Sequence, residues 1–220
     1  MIEAVVFDMD GLLIDSEYIT FLAYQKVSKD KGITFDMDFY RTLLGRNADT
    51  VKKRLETYMG TRELAEETME TVLQIVEKRI ETQGIPLKRG AAELIAYLKG
   101  QGIKMAVATS SNRSRATVAL TKCAILQYFD VVVCGNEVTK SKPDPEIFLT
   151  AIKRLGTDSV HTIVLEDSEN GIIGAHAGGI PCIHVPDLQE PSKIIKDRAD
   201  YVAKDLLEVK AYMASRYFSI

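Results

Sequence analysis

Apolar residues change their spacing twice along this chain. A short apolar stretch over residues 2–7 runs through Val5-Val6-Phe7 and ends against Asp8. An apolar run of that length reads as a strand buried on both faces of a parallel sheet. From about Asp15 to Gln83 the pattern becomes helical. Ile19, Leu22, Ala23 and Val27 mark one amphipathic helix, Val51 and Leu55 a second, and Leu64, Val72, Ile75, Val76 and Ile80 a longer third. No convincing strand interrupts them. From Gly84 onward strands alternate with helices. The expected strands are Ile103–Ala108, Val131–Cys134, Val160–Leu165 and Ile180–Val185, separated by helices centred near Leu94, Val118, Phe148 and Ile173. Such alternation implies βαβ units and a parallel sheet.

The first strand is cut off from this series by the helical block. The block therefore reads as an insertion, with Gly11 and the Gly84-Ile85-Pro86 segment as its two connections to the core. The expected organisation is a core of residues 1–14 and 85–220 and a helical unit of residues 15–84. At 220 residues the chain can bury a core of that size.

Composition narrows the function classes. The 28 basic and 31 acidic residues give a formal net charge of -3. A general nucleic-acid or membrane binder would show a basic excess or stripe, so neither partner is expected. No stretch approaches ~18 continuous apolar residues, so no membrane-spanning helix is expected. No basic segment precedes the first apolar run, which argues against a signal peptide. Cys123, Cys134 and Cys182 are odd in number and lack metal-ligand spacing. They read as buried thiols in a reducing compartment, which points to the cytoplasm.

Four polar clusters stand at the ends of these strands. The first is Asp8-Met9-Asp10-Gly11, followed by Asp15-Ser16-Glu17. Alone it also reads as an ordinary turn. At the carboxyl end of a buried strand, however, two carboxylates face the ligand crevice of an open α/β sheet. They can hold a hard cation such as Mg2+, and one can attack an electrophile. The second cluster is Thr109-Ser110-Ser111-Asn112, a hydroxyl-rich helix start that suits either an anion or a simple helix cap. The third is Thr139-Lys140-Ser141-Lys142-Pro143-Asp144-Pro145-Glu146. Pro143 disfavours helix at Lys142, and Asp144 is expected to cap the helix that follows. The fourth is Leu165-Glu166-Asp167-Ser168. Its adjacent acids point opposite ways, which lets one reach a metal directly and the other through water. Neither a dinucleotide fingerprint nor a Walker A sequence occurs.

Strand ends on one edge of a parallel sheet converge, so the four clusters share one crevice. Together they supply a nucleophile, an acid/base, metal ligands, a phosphate cradle and a charge-neutralising lysine, a complete set for phosphoryl transfer.

In this order the motifs resemble those of the haloacid dehalogenase superfamily, in the branch of β-phosphoglucomutase-like and phosphoglycolate-phosphatase-like enzymes. The resemblance spans nearly the whole chain. It implies a Rossmann-like parallel-sheet core with a mobile helical cap inserted after the first strand. It further implies Asp8 as a nucleophile that becomes an aspartyl-phosphate, and Asp10 as acid and then base, its backbone carbonyl also binding Mg2+. Thr109 and the N–H of Ser110 would hold the phosphate, Lys142 would neutralise charge, and Asp167 would ligate Mg2+ with Glu166 as a direct or water-mediated partner. In the cap, Arg46 in the Gly45-Arg46-Asn47 break is the basic residue singled out for substrate.

True dehalogenases need no second acid and no Mg2+, so Asp10 and the Glu166-Asp167 pair argue against dehalogenation. Mutases of the branch carry a cap histidine and a core lysine that this chain lacks. Its histidines are His161, His176 and His184, Thr20 lies near where the cap histidine would fall, and Asn112 stands at the lysine's place. The expected function is hydrolysis of a small phosphorylated metabolite by a monomeric phosphatase. A mutase is the alternative, and a non-catalytic regulator of the same fold the remote one.

Overall fold

The computed structural model describes residues 1–46 and 48–218, without the side chain of Ala48. Six parallel strands form one sheet: β1 (Ala4–Phe7), β2 (Lys104–Thr109), β3 (Val131–Cys134), β4 (Thr162–Glu166), β5 (Cys182–His184) and β6 (Tyr201–Val202), in the order β3-β2-β1-β4-β5-β6. The helices are α1 (Ser16–Asp30), α2 (Met37–Arg41), α3 (Ala48–Met59), α4 (Arg62–Gln83), α5 (Ala91–Gly100), α6 (Arg113–Lys122), α7 (Glu146–Leu155), α8 (Glu169–Ala177), α9 (Lys193–Arg198) and α10 (Leu206–Tyr217). Four helices thus separate β1 from α5.

Strand periodicity divides the core into two layers. Val5, Phe7, Met105, Val107, Ile163 and Leu165 face one side, packed with Leu94, Leu98, Leu120, Leu206 and Val209 of α5, α6 and α10. Ala4, Val6, Ala106, Ala108 and Val164 face the other, against Ile147, Phe148, Ala151 and Ile152 of α7 and Ile172 and Ala175 of α8. Coverage on both faces is why these strands carry unbroken apolar runs. α7 ends at Gly156, whose φ of 66° is the left-handed conformation of a helix C-terminus.

Four expected strands differ by one or two residues at one or both ends. The stretch from Val160 begins later because Asp158 organises a turn there. It accepts from His161 N at 3.0 Å, and its carbonyl accepts from Thr162 Oγ1 at 2.7 Å. β4 consequently runs from Thr162 through Glu166, and Val160 is exposed. In α1, Leu22 is exposed, and Phe21 and Tyr24 fill the interface beside Ile19, Ala23 and Val27. Aromatic rings outweigh the simple aliphatic spacing there: Tyr24 stacks on Phe35 at 5.0 Å and Phe21 meets Tyr40 at 5.6 Å. Short α2 and α9 and two-residue β6 carry too little periodicity to be anticipated, whereas sequence reasoning misses α10 although Leu206, Val209 and Met213 mark its buried face.

Register fixes the site. Phe7 aligns with Val107 on one side and Leu165 on the other, and Asp8 N extends the ladder to Leu165 O at 3.0 Å. Asp8, Ala108 and Glu166 therefore stand level at the carboxyl edge. The chain leaves β1 for β2 on one side and later returns to β4 on the other, so this edge is the switch point where such sheets bind ligands. The two connectors of the helical block run together, with Asp15 N donating to Pro86 O and Lys88 N to Leu13 O, both at 2.9 Å. Gly11 at φ 86° and Gly84 at φ 74° make the turns at their ends.

His184 on β5 is 1% exposed, and neither ring nitrogen has a hydrogen-bond partner. Burial depresses its pKa to about 4, against the attraction of Glu166. Below about 6.5 the unfolded chain takes up a proton that the native state refuses until about 4. Stability should therefore fall between those values by about 1.4 kcal/mol per pH unit from this group alone. Urea midpoints at pH 7, 6 and 5 should diverge between wild type and His184→Leu, the variant losing less in acid. Parallel curves would refute the assignment.

Candidate active site

Lys142 organises the crevice. Its Nζ donates to Asp8 Oδ1 at 2.5 Å, Glu166 Oε1 at 2.5 Å and Ala108 O at 3.1 Å, and lies 4.9 Å from the centre of the Phe148 ring. Its side chain is 6% exposed. The loop that delivers it is braced by Glu146, which accepts from Thr139 N at 2.9 Å and Lys140 N at 2.8 Å. Asp144 Oδ1 accepts from Glu146 N at 3.0 Å, so it satisfies the first turn of α7 as expected, although Pro145 is the residue at the cap position.

Glu166 is completely buried, and its second oxygen accepts from Ser168 N at 2.8 Å and Ser168 Oγ at 2.9 Å. Ser168 also caps α8, accepting from Gly171 N at 3.0 Å. Both Glu166 oxygens are thus occupied by protein. Asp167, one residue on, turns towards the Asp10-Gly11 turn, close enough that a Cβ on Gly11 would overlap its carboxyl group. A side-chain oxygen of Asp187, Oδ2, lies 3.2 Å from that same Cβ position and is buried without a hydrogen-bond partner.

Asp10 faces the β2–α6 loop. Its Oδ2 accepts from Ser111 Oγ at 2.8 Å and its Oδ1 from Arg115 Nη2 at 3.2 Å. Thr109 is 1% exposed, and its Oγ1 accepts from Ser111 N at 3.1 Å; Ser110 beside it is exposed. Asn112 caps α6 by accepting from Arg115 N at 2.9 Å. The alternative helix-cap reading of this cluster therefore holds for Asn112, leaving Thr109 and Ser110 at the crevice.

Electrostatics set this crevice apart. Burial pushes Asp8 up to about 8, with Lys142 pulling down and Glu166 and Asp10 pushing up. Burial also raises Asp167 well above the carboxylate range, reinforced by Glu166, Asp8, Asp187 and Glu17. Burial alone would lower Lys142, but Asp8 and Glu166 hold it above an ordinary lysine. Glu17, half-buried in the first turn of α1, is pushed up to about 7 by the loss of water around it while accepting from Tyr40 Oη at 2.6 Å. Asp8 and Glu166 thus share a single buried lysine, while Asp167 stands beside them with no basic group among the chief causes of its raised pKa. Oxygen donors in excess over positive charge suit a divalent hard cation. Among the described residues no three Asp, Glu, His or Cys side chains form a ready cage. The donor set that fits is two carboxylates, Asp8 and Asp167, with a backbone carbonyl and water.

Asp8, Asp10, Thr109, Ser110, Lys142, Glu166 and Asp167 are therefore brought together. Arg46 is not part of this cluster. It is exposed in the turn between α2 and α3, one residue past Gly45, whose carbonyl accepts from Asn170 Nδ2 across the crevice at 3.0 Å. Asn47, the other end of the expected break, lies outside the described residues. Sequence reasoning missed Ser111 and Arg115 as partners of Asp10, the Glu17–Tyr40 pair, and Lys88, which bonds both Asp15 and Asp187.

Residues 5–185 match the family of haloacid dehalogenase-like hydrolases. A phosphorylated carbohydrates phosphatase from Thermotoga maritima is 33% identical over 184 residues, covering 83% of this chain and 84% of that one. Validoxylamine A 7'-phosphate phosphatase from Streptomyces hygroscopicus subsp. limoneus is 30% identical over 213 residues, covering 96% and 97%. The crystal structure of CbbY from Rhodobacter sphaeroides in complex with phosphate superposes with a TM-score of 0.75 at 27% identity, covering 95% of this chain and 96% of that one.

Gly171 tests how tightly the site is packed. Alanine inside a helix is ordinarily better than glycine by about 1 kcal/mol. Here a Cβ would overlap the buried carboxyl of Glu166, which Lys142 and Ser168 hold in place. Overpacking should win, and Gly171→Ala should lose about 1–3 kcal/mol. A thermal melt decides it: an unchanged or raised midpoint would show that Glu166 is free to move.

Proposed function

The chain belongs to the haloacid dehalogenase-like hydrolase family, and we propose that it is a Mg2+-dependent phosphatase acting on small phosphomonoesters, sugar phosphates or related metabolites, through an aspartyl-phosphate. The observation that carries this reading is the buried Asp8 carboxylate at the switch point, held at 2.5 Å by Lys142, with a second acid two residues on facing the Thr109 loop.

Asp8 attacks phosphorus in line with the ester oxygen. The phosphorus–oxygen bond to the alcohol breaks, and Asp10 gives that oxygen its proton. Water then attacks the aspartyl-phosphate, Asp10 takes the water's proton, and phosphate leaves. Thr109 Oγ1 and the N–H of Ser110 bind phosphoryl oxygens, and Lys142 offsets the repulsion between one anion and another. Asp8, the Asp10 carbonyl and Asp167 would hold Mg2+, with Glu166 supporting the site through Lys142. When bound, Mg2+ supplies countercharge to the phosphoryl oxygens. The helical block serves as a lid, and Arg46 on its edge contacts substrate. Three free thiols fit a reducing compartment such as the cytoplasm, and no helix among the described residues is long and apolar enough to cross a membrane.

Hydrolysis is favoured over phosphoglucomutase chemistry by the groups that stand where a mutase controls its intermediate. The block 15–83 contains no histidine. Thr20 donates its hydroxyl to Ser16 O at 2.9 Å within α1, and Asn112 is committed to capping α6. Neither offers an imidazole's proton control or a lysine's charge.

Asp8→Asn should lower turnover by at least ~1,000-fold, since it removes the nucleophile and keeps its shape. Retention of a tenth of wild-type turnover would assign the chemistry elsewhere. EDTA should abolish phosphate release from a panel of phosphorylated metabolites and added Mg2+ restore it; activity that survives chelation would refute the metal. Efficient conversion of β-glucose 1-phosphate to glucose 6-phosphate, with a trace of the 1,6-bisphosphate and negligible phosphate release, would favour a mutase.

A further inference from the structure

Two arginines, Arg113 and Arg115, occupy the first turn of α6, which carries no acidic residue. The amino end of a helix is its positive end, so cations there are unfavourable unless something else holds them. Each has such a partner. Arg113 bonds Glu137 and the carbonyl of Val132. Arg115 bonds Asp10 Oδ1 at 3.2 Å with only 19% of its side chain exposed. Ser111 Oγ holds the other Asp10 oxygen at 2.8 Å. Both oxygens are thus fixed from one loop–helix segment of the core, with no hydrogen-bond partner on the helical block among the described residues. Arg115 also lines a cavity of about 430 Å3 between core and block, with Thr20, Tyr24, Met69 and Val76.

We propose that Arg115 is the positioning residue for Asp10 and acts on the second half of the reaction. The inference rests on the phosphatase reading above. In that half the water oxygen–phosphorus bond forms, the bond from Asp8 oxygen to phosphorus breaks, and the water's proton passes to an Asp10 carboxylate oxygen. Bonds from a guanidinium and a hydroxyl, one to each oxygen, fix the orientation of the Asp10 carboxyl group. A base held by the core alone stays in place whatever the helical block does. Water then meets a ready base as soon as the alcohol leaves, which suits hydrolysis rather than transfer to a second acceptor.

The test uses p-nitrophenyl phosphate, whose leaving group departs without a proton, so phosphoenzyme formation does not depend on Asp10. In Arg115→Ala the breakdown step should slow by roughly 10- to 100-fold. kcat and KM should then fall together, leaving kcat/KM within about threefold of wild type, because that ratio reports only steps up to phosphoenzyme formation. Acid-quenched phosphoenzyme should accumulate in the variant, and Arg115→Lys should recover most of kcat, since a single hydrogen bond is involved. A raised KM at unchanged kcat would overturn the proposal in favour of substrate binding. Equal losses in both variants with lowered melting temperatures would overturn it in favour of a structural role. An inactive wild type would instead refute the phosphatase reading itself.

Discussion

A buried lysine amine shared by two carboxylates is the constraint around which this molecule is arranged. Lys142 lies between Asp8 at the end of β1 and Glu166 at the end of β4, all three almost inaccessible to water. A buried charge without a partner costs several kcal/mol, and breaking such a pair typically costs about 3–5 kcal/mol. The neighbouring strand ends are therefore bound to the loop that carries the lysine. Demands pass outward from there. Glu146 must brace that loop, Ser168 must satisfy the far oxygen of Glu166, and Gly171 must leave room for its carboxyl group. Phe148, on the helix that follows, presents its ring to the amine.

The same constraint separates two acids that look equivalent in the chain. Glu166 and Asp167 are consecutive, and consecutive strand residues face opposite ways. Once Lys142 and Ser168 claim Glu166, Asp167 is the carboxylate left facing the Asp10-Gly11 turn. Positive charge in the crevice is then insufficient, since one ammonium cannot balance Asp8, Glu166 and Asp167 together. Burial together with that deficit raises Asp8 and Asp167, and this is the arrangement on which the proposed Mg2+ site rests.

Features were legible in the sequence where local pattern and global fold agree. Val131–Cys134 is a strand with its expected bounds because its apolar run has turn residues on both sides. The acid pairs were legible because each follows directly on a buried strand. What stayed hidden depends on partners distant in sequence. Asp10 and Arg115 are 105 residues apart, and Lys88 and Asp187 are 99 apart. A signal for Arg115 existed, namely a cation against the dipole at the start of α6, but it names no partner. β6 stayed hidden for another reason: two residues, Tyr201 and Val202, cannot show a period.

With Asp10 bonded from the core by Ser111 and Arg115, the proposed reading leaves the helical block a different task. The block reaches over the crevice through Gly45, which accepts from Asn170, and through Arg41 Nε, which donates to Leu188 O at 2.9 Å. Its connectors are held against the sheet by Lys88, which bonds Asp15 on the first connector and Asp187 beyond β5. These polar bonds add to an apolar interface, since Phe21, Val72, Val76 and Ile80 of the block belong to the same continuous cluster as Val5, Phe7, Leu94 and Leu120 of the core. The cavity beneath the block has apolar walls from Tyr24, Val72 and Val76. Apolar walls discriminate by shape and exclude water, but they make no demand on protonation. The proposed phosphatase reading accordingly assigns selection of the alcohol half of a substrate to α1 and α4, and the chemistry to groups at the strand ends. One core can in this way serve many phosphomonoesters through changes in four helices.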